Sequence, residues 1–227
     1  MKPTLPLLLS LNGGYVDTAG FLALQGLFTA HVTGNFVTLG ASLVLGISGI
    51  AAKLLALPVF CVVVIATRLA GEALRRRKMP ALPVLLGAKL ALLVAGATLA
   101  IRFGPFANGD SLPAIVTGMV LVTAMAIQNA VHRVHLSAAP PSTLMTGTTT
   151  QIMLDIGDLL AGAAPEARAG LVARLRRMSA AVAVFAAGCG AAALGYAFLG
   201  VWCFTAPPLI ALLALLVRLS APAEDAG

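Results

Sequence analysis

Charge is what this sequence has least of: Asp, Glu, Lys and Arg together make up 10% of its 227 residues, while 59% are hydrophobic. Soluble domains carry roughly a quarter charged residues and about half apolar ones, so a mean hydropathy of +0.99 excludes an ordinary soluble domain. Cysteine is nearly as scarce. Cys61, Cys189 and Cys203 lie in apolar segments without metal-like spacing, so no disulfide framework and no metal or other cofactor is expected. Neither Gly-x-Ser-x-Gly nor His-Glu-x-x-His occurs. A cleavable leader is not expected either: the short apolar run of "MKPTLPLLLS" is ended by Asn12, Gly13 and Gly14, and no small-x-small site follows. Lys2 reads instead as the anchor of a first spanning helix.

What is present is apolar sequence in spanning lengths. A bilayer core is crossed by about 20 apolar residues, and hydropathy gives eight candidate segments, near 5–28, 33–50, 54–71, 81–101, 112–131, 144–162, 179–200 and 203–219. The fold class is therefore all-α, a polytopic membrane helix bundle. The formal net charge of +7 belongs to loops facing anionic headgroups. No soluble domain is left to present a basic face to nucleic acid. Expected partners are membrane lipid and an unidentified small solute or ion, with self-association left open.

The basic residues choose a topology. If all eight segments cross, Lys2, Lys53, Arg102, Arg168, Arg174, Arg176, Arg177 and Arg218 face Arg68, Arg75, Arg76, Arg77, Lys78 and Arg133, which is almost no bias. If the second and sixth segments enter and leave on one side, six crossings remain, and every Lys and Arg except Lys53, Arg102 and the mid-segment Lys89 collects with both termini. The positive-inside rule favours the second arrangement, with N-terminus and C-terminus inside. The same count arises if each pair, first with second and fifth with sixth, forms one broken crossing.

The two segments that lose their crossing echo each other. "HVTGN" at 31–35 has a counterpart in "LMTGT" at 144–148, and "GYVDTAG" at 14–20 a looser one in "AIQNAVH" at 126–132. Thr33-Gly34 falls over Thr146-Gly147 and Asp17 over Asn129, with one inserted residue. Three crossings per half would make the halves inverted, a design that places sites at the midplane of many transporters. The expected organisation is a first membrane repeat at 1–103, a second at 104–219 and a disordered cytoplasmic tail at 220–227.

"GGYVDTAGFLAL" with "FTAHVTGNFVTLG", followed by "AMAIQNA" and "LMTGTTTQ", resembles the YoaK family of bacterial inner-membrane proteins, a family of unknown function. The resemblance covers roughly residues 10–218. It implies a compact multi-spanning inner-membrane protein of about this length and carries over no substrate or catalytic residue.

Candidate site residues follow from cost. An ionisable group in hydrocarbon costs roughly 2.5–3.5 kcal/mol even on insertion scales, so it turns toward a cavity or a partner. Asp17, beside Tyr15 and after Gly13-Gly14, reads as a proton or cation carrier, or as one half of an ion pair with Lys89 or His31. Asp155 and Asp158 share a helix face and read as a cation site, with a cytoplasmic position near Arg168 and Arg174 as the alternative for Asp158. Thr33, Gly34 and Asn35, with Thr146, Gly147 and Thr148, read as two helix breaks facing each other and offering backbone groups to a solute, or as interhelical packing residues. The amides Gln128 and Asn129 suit a binding site or an interhelical hydrogen bond. Lys89 is mid-membrane by length, with snorkelling open to its stem if the segment is shifted, and His132 and His135 are expected to sit at the interface beside Arg133. The function these imply is transport of a small solute or ion. A channel-like or non-transporting membrane component is the alternative. An intramembrane aspartyl protease, faintly suggested by "GYVD" and "IGD", is a third reading, although aspartate occupies position 155 where that motif needs glycine.

Overall fold

The structure is a computed structural model and describes residues 4–220; Lys2 and residues 221–227 of the expected tail lie outside the described residues. Among the described residues all regular structure is helical. The elements are α1 (Leu5–Ala23), α2 (Gly34–Leu45), α3 (Ile50–Arg76), α4 (Ala81–Phe103), α5 (Leu112–His135), α6 (Met145–Leu160), α7 (Pro165–Leu199) and α8 (Ala206–Leu219), with a 3₁₀ stretch Gly200–Thr205 between the last two. Four helices open with proline in their first two positions, Pro6, Pro113, Pro165 and Pro207. The missing N–H costs nothing there and the fixed φ suits a helix start.

Four helical stretches are long and apolar enough to cross a membrane: Ile50–Arg76, Ala81–Phe103, Leu112–His135, and Pro165–Leu219, the last taking α7, the 3₁₀ stretch and α8 together. The first segment expected, 5–28, is a shorter helix ending at Ala23; the seventh, 179–200, begins 14 residues earlier at Pro165. Side chains turned outward are apolar, among them Val62 and Ile65 on α3, Phe198 on α7 and Leu209 on α8. An apolar exterior suits lipid and would be a liability in water.

α1 sits in the middle, packed against α5, α7 and α8. Val16, Ala19 and Leu24 meet Leu121, Val122 and Met125 of α5 in one cluster, and Leu5, Leu8 and Leu9 meet Leu82, Leu85, Ile127 and Ala214 in a second. Glycines set the closest approach. A Cβ on Gly14 would overlap the carbonyl oxygen of Phe185, and one on Gly188 that of Leu11. With no hydrophobic drive between helices in lipid, such backbone contact is a main source of association.

Two segments turn back into the bundle. Gln25 (φ 55°) and Gly26 (φ 82°) adopt left-handed conformations that end α1, and residues 24–33 fold back before α2 begins. Lys53 on α3 closes this loop: its Nζ donates to the Gln25 carbonyl (2.7 Å), to Ser42 Oγ (2.8 Å) and to the Ser48 carbonyl (3.2 Å). The point where the chain leaves and the point where α2 returns thus lie at one end of the bundle. The second turn-back, residues 136–144, contains Pro140-Pro141, which cannot continue a helix. The basic residues divide by end: Arg68, Arg75 and Arg218 line one cavity and Arg133, Arg174 and Arg177 an adjoining one, with Ala130 common to both. Lys53 and Arg102 sit near the other end of their helices.

Replacing Gly188 by alanine is expected to cost about 1–3 kcal/mol by overpacking the α1–α7 seam, whereas Gly190→Ala, whose Cβ would meet nothing within 4 Å, should be neutral. Thermal unfolding in detergent, followed by loss of the monodisperse peak, distinguishes the two; equal midpoints would remove the seam from the account.

Candidate functional site

Asp17 lies on α1 six positions before the last helical residue, Ala23, and is 4% exposed. One of its oxygens, Oδ1, accepts from the Thr29 N–H (2.8 Å), the Ala30 N–H (2.7 Å), Thr29 Oγ1 (3.3 Å) and, at 3.5 Å, the His31 N–H. The other, Oδ2, lies 2.7 Å from His31 Nδ1. Successive backbone N–H groups converging on one anion form a nest; here the anion is the protein's own side chain. Asn35, in the first turn of α2, fixes the loop's other strand: its Oδ1 accepts from the Phe28 N–H (2.9 Å) and its Nδ2 donates to the Phe28 carbonyl (2.8 Å).

The second turn-back is held by neutral groups. Asn129 lies six positions before His135, the last residue of α5. Its Oδ1 accepts from Thr143 Oγ1 (2.6 Å) and its Nδ2 donates to the Met125 carbonyl (2.9 Å). Gln128 donates through Nε2 to Ser142 Oγ (3.1 Å) and to the Leu9 carbonyl of α1 (2.9 Å), while its Oε1 accepts from Lys89. Lys89 is only 1% exposed, so its ammonium stays inside the bundle and does not snorkel. Asp17 and Lys89 are not partners: of the two pairings weighed for the aspartate, His31 is the one formed.

The two turn-backs converge on α1. A Cβ on Gly13 would touch the Ser142 carbonyl, Gln128 Nε2 and the Thr143 methyl. Asp17 is four residues on, hence on the same face and about 6 Å along the axis. Phe185 of α7 stands edge-on to the His31 ring, with centroids 5.8 Å apart, and the His31 side chain keeps 33% of its surface exposed. The cluster therefore joins a buried carboxylate, an accessible imidazole, two amides and two hydroxyls around one turn of a helix. A carboxylate–imidazole pair of this kind can take up and release a proton or hold a cation.

The remaining expected residues fall at its edge or outside it. Tyr15 donates its hydroxyl to the Cys203 carbonyl (3.0 Å) and ties α1 to the 3₁₀ stretch Gly200–Thr205. Thr33 and Gly34 stand at the start of α2, and Thr146, Gly147 and Thr148 lie within the first turns of α6. The Thr-Gly pairs thus mark the downstream edge of each turn-back, not the break itself, and they do not face each other: α2 packs along α3, α6 along α7, and the two short helices do not touch. Their glycines are unlike as well. A Cβ on Gly34 would crowd the Phe28 ring, while one on Gly147 would meet nothing within 4 Å. Asp155 is fully buried and held by Arg174, with Nε to Oδ2 at 2.8 Å and Nη2 to Oδ1 at 2.6 Å, and by Gln151 at 2.8 Å. That bidentate pair, not a second carboxylate, is what Asp155 serves; Asp158 is exposed.

The apolar exterior, the spanning helices and the buried polar cluster define a polytopic α-helical membrane protein. Its family is equally definite. Residues 5–217 match the family described as "Protein of unknown function (DUF1275)", and the chain belongs to it. It is 32% identical over 161 residues, 70% of this chain and 69% of the relative, to the "UPF0700 transmembrane protein YoaK" of Bacillus subtilis (strain 168). No solved structure matches.

Asp17→Asn keeps an acceptor for Thr29 and Ala30 and is expected to remain folded. Asp17→Ala strands both buried N–H groups and should lose about 3–5 kcal/mol. Because Lys89 is not the partner, Lys89→Met should not rescue the alanine variant. Thermal midpoints of the three variants in detergent check this, and rescue by Lys89→Met would refute the assigned pairing.

Proposed function

We propose that this protein transports a small solute or ion through a site between two inverted halves, residues 1–103 and 104–219, with Asp17 and His31 as its proton- or cation-coupling pair. In this reading α1, α3, α4, α5, α7 and α8 are the six crossings, and α2 and α6 are re-entrant half-helices. Both termini face the cytoplasm of a bacterial cell. The single observation that carries the reading is the convergence of two opposed turn-backs on Gly13 and Asp17 of one helix. Each comes back about 9 Å, six residues of helical rise, to meet an Asp or Asn. Each also ties residues 14 apart, His31 to Asp17 and Thr143 to Asn129. Non-helical backbone at membrane depth persists only where protein or water covers it, and in transporters such segments form substrate and ion sites.

The reading is non-enzymatic. An aspartyl protease needs two aspartates side by side, but Asp17 is on α1 and Asp158 on α6, and those helices do not pack together. The gathering of Arg68, Arg75, Arg133, Arg174, Arg177 and Arg218 at the end where α1 begins supports the cytoplasmic assignment of that end.

Orientation is tested with single cysteines in a cysteine-free background. Ala107→Cys should react with an impermeant thiol reagent in intact cells and Arg76→Cys only after lysis; the reverse pattern would invert the topology. Transport is tested in proteoliposomes loaded with a pH-sensitive dye and challenged with panels of amino acids, carboxylic acids, sugars and monovalent cations. A solute-dependent flux that Asp17→Asn abolishes and Asp17→Glu partly keeps is expected. Wild-type flux in Asp17→Asn would overturn the coupling role of Asp17, and no flux with any member of the panels would overturn the reading in favour of a non-transporting component.

A further inference from the structure

A cavity of about 500 Å³ opens among the ends of α3, α4, α5 and α8, and neither Gln128 nor Asn129 lines it. Its floor is apolar, formed by Leu82, Leu85 and Val131. Its rim is cationic: Arg68 from α3 and Arg218 from α8 line it, with the His135 imidazole of α5 beside them. Among the described lining residues Glu72 is the sole carboxylate, and it is already engaged by Arg75 (2.8 Å) and Arg76 (3.4 Å). Arg218 Nε is buried and has no hydrogen-bond partner among the described residues. A buried guanidinium donor left unmade is costly, and a planar guanidinium with a second arginine nearby matches the geometry of a phosphate. Arg218 is anchored by its own helix: α8 packs through Ala211 and Ala214 into the bundle, so the donor is directed and not a loose surface charge.

We infer that this cavity binds a phosphate group, with Arg68 and Arg218 as its ligating cations, and that the phosphate is carried by an anionic phospholipid whose glycerol and upper acyl carbons lie on the Leu82–Leu85–Val131 floor. The shape of the lining decides for lipid over free phosphate. A site for an inorganic anion has no use for an apolar floor, whereas a headgroup site at a helix-end interface needs both surfaces. Basic pockets between helices at the cytoplasmic face recognise anionic headgroups in this way. The site is independent of the Asp17–His31 cluster: lipid binding can hold or fail whatever the transport assay returns.

The test uses delipidated full-length protein in detergent. Short-chain phosphatidylglycerol, phosphatidylcholine and inorganic phosphate are titrated separately, with binding read by native mass spectrometry and by thermal shift. Phosphatidylglycerol should bind at least tenfold more tightly than phosphatidylcholine. Arg68→Gln and Arg218→Gln should each weaken it about fivefold, the contribution of one basic residue near an anionic surface. Arg218→Lys, which keeps the charge and guards against misfolding, should weaken it less than Arg218→Gln. Arg168→Gln, on the exposed start of α7, should change nothing. Inorganic phosphate that displaces the lipid at equal concentration would keep the arginine site but overturn the lipid assignment. Equal affinity for the two lipids, or unchanged affinity in the Arg68→Gln/Arg218→Gln double variant, would overturn the site itself. A tenfold gain in lipid affinity on neutralising Glu224 and Asp225 would give the arginines to those carboxylates and overturn it equally.

Discussion

The chain's first turn-back depends on one carboxylate. Residues 24–33 leave helical conformation beside an apolar bundle, and every N–H they expose has to find an acceptor. Asp17 supplies it for Thr29 and Ala30 at 2.7–2.8 Å and positions His31 at the same distance. From that anchor the rest follows in sequence order. Asn35 locks Phe28, α2 starts in the right direction, and Lys53 ties its far end to Gln25. Removing the carboxylate would leave a loop without acceptors and a half-helix without a starting point.

The second turn-back solves the same backbone problem without charge. Asn129 and Gln128 replace the carboxylate: Asn129 accepts from the Thr143 hydroxyl, and Gln128 donates to the Ser142 hydroxyl. The difference has a physical source. The first loop presents bare amides to its anchor and is best met by an anion; the second presents side-chain hydroxyls, for which a neutral amide suffices. In the second half Asp155 is paired with Arg174, and the Gln128 amide that grips α1 also accepts from the ammonium of Lys89 on α4 of the first half. Polar chemistry in this bundle is thus concentrated on α1 and its immediate neighbours, while α3, α7 and α8 present apolar faces outward.

Much of this was legible in the sequence. Composition gave the membrane class, hydropathy located all eight helices to within a few residues at most ends, and the echo between 31–35 and 144–148 pointed at the two turn-backs. Asp17, Asn35, Gln128 and Asn129 were identifiable because amides and carboxylates in apolar surroundings need partners. What sequence could not give was the partner. Asp17 had two candidates at different separations, and only the fold decides for His31 over Lys89. Glycine and threonine are common at breaks, yet the turn-back at 24–33 starts with Gln25 and Gly26 in left-handed conformations, and the one at 136–144 follows the end of α5 at His135 and contains Pro140-Pro141. The spacing of 14 residues between Asp17 and His31, repeated between Asn129 and Thr143, was the available signal for the true contacts. Arg174 as the holder of Asp155 was hidden because α6 and α7 meet only after the turn between them is known.

The Gly14–Gly188 contact has a bearing on the order in which the molecule can be completed. Asp17 meets all its partners within 14 residues and Lys53 closes that loop 28 residues after Gln25, so the first turn-back can be finished while most of the chain is still on the ribosome. The face of α1 that carries Gly14, by contrast, waits for Phe185 and Gly188. Until then a groove of bare backbone on the central helix stays open to lipid or to whatever helix is nearest. The last long helix is therefore a bolt as well as a wall: synthesis beyond residue 188 is what commits the bundle to its closed form.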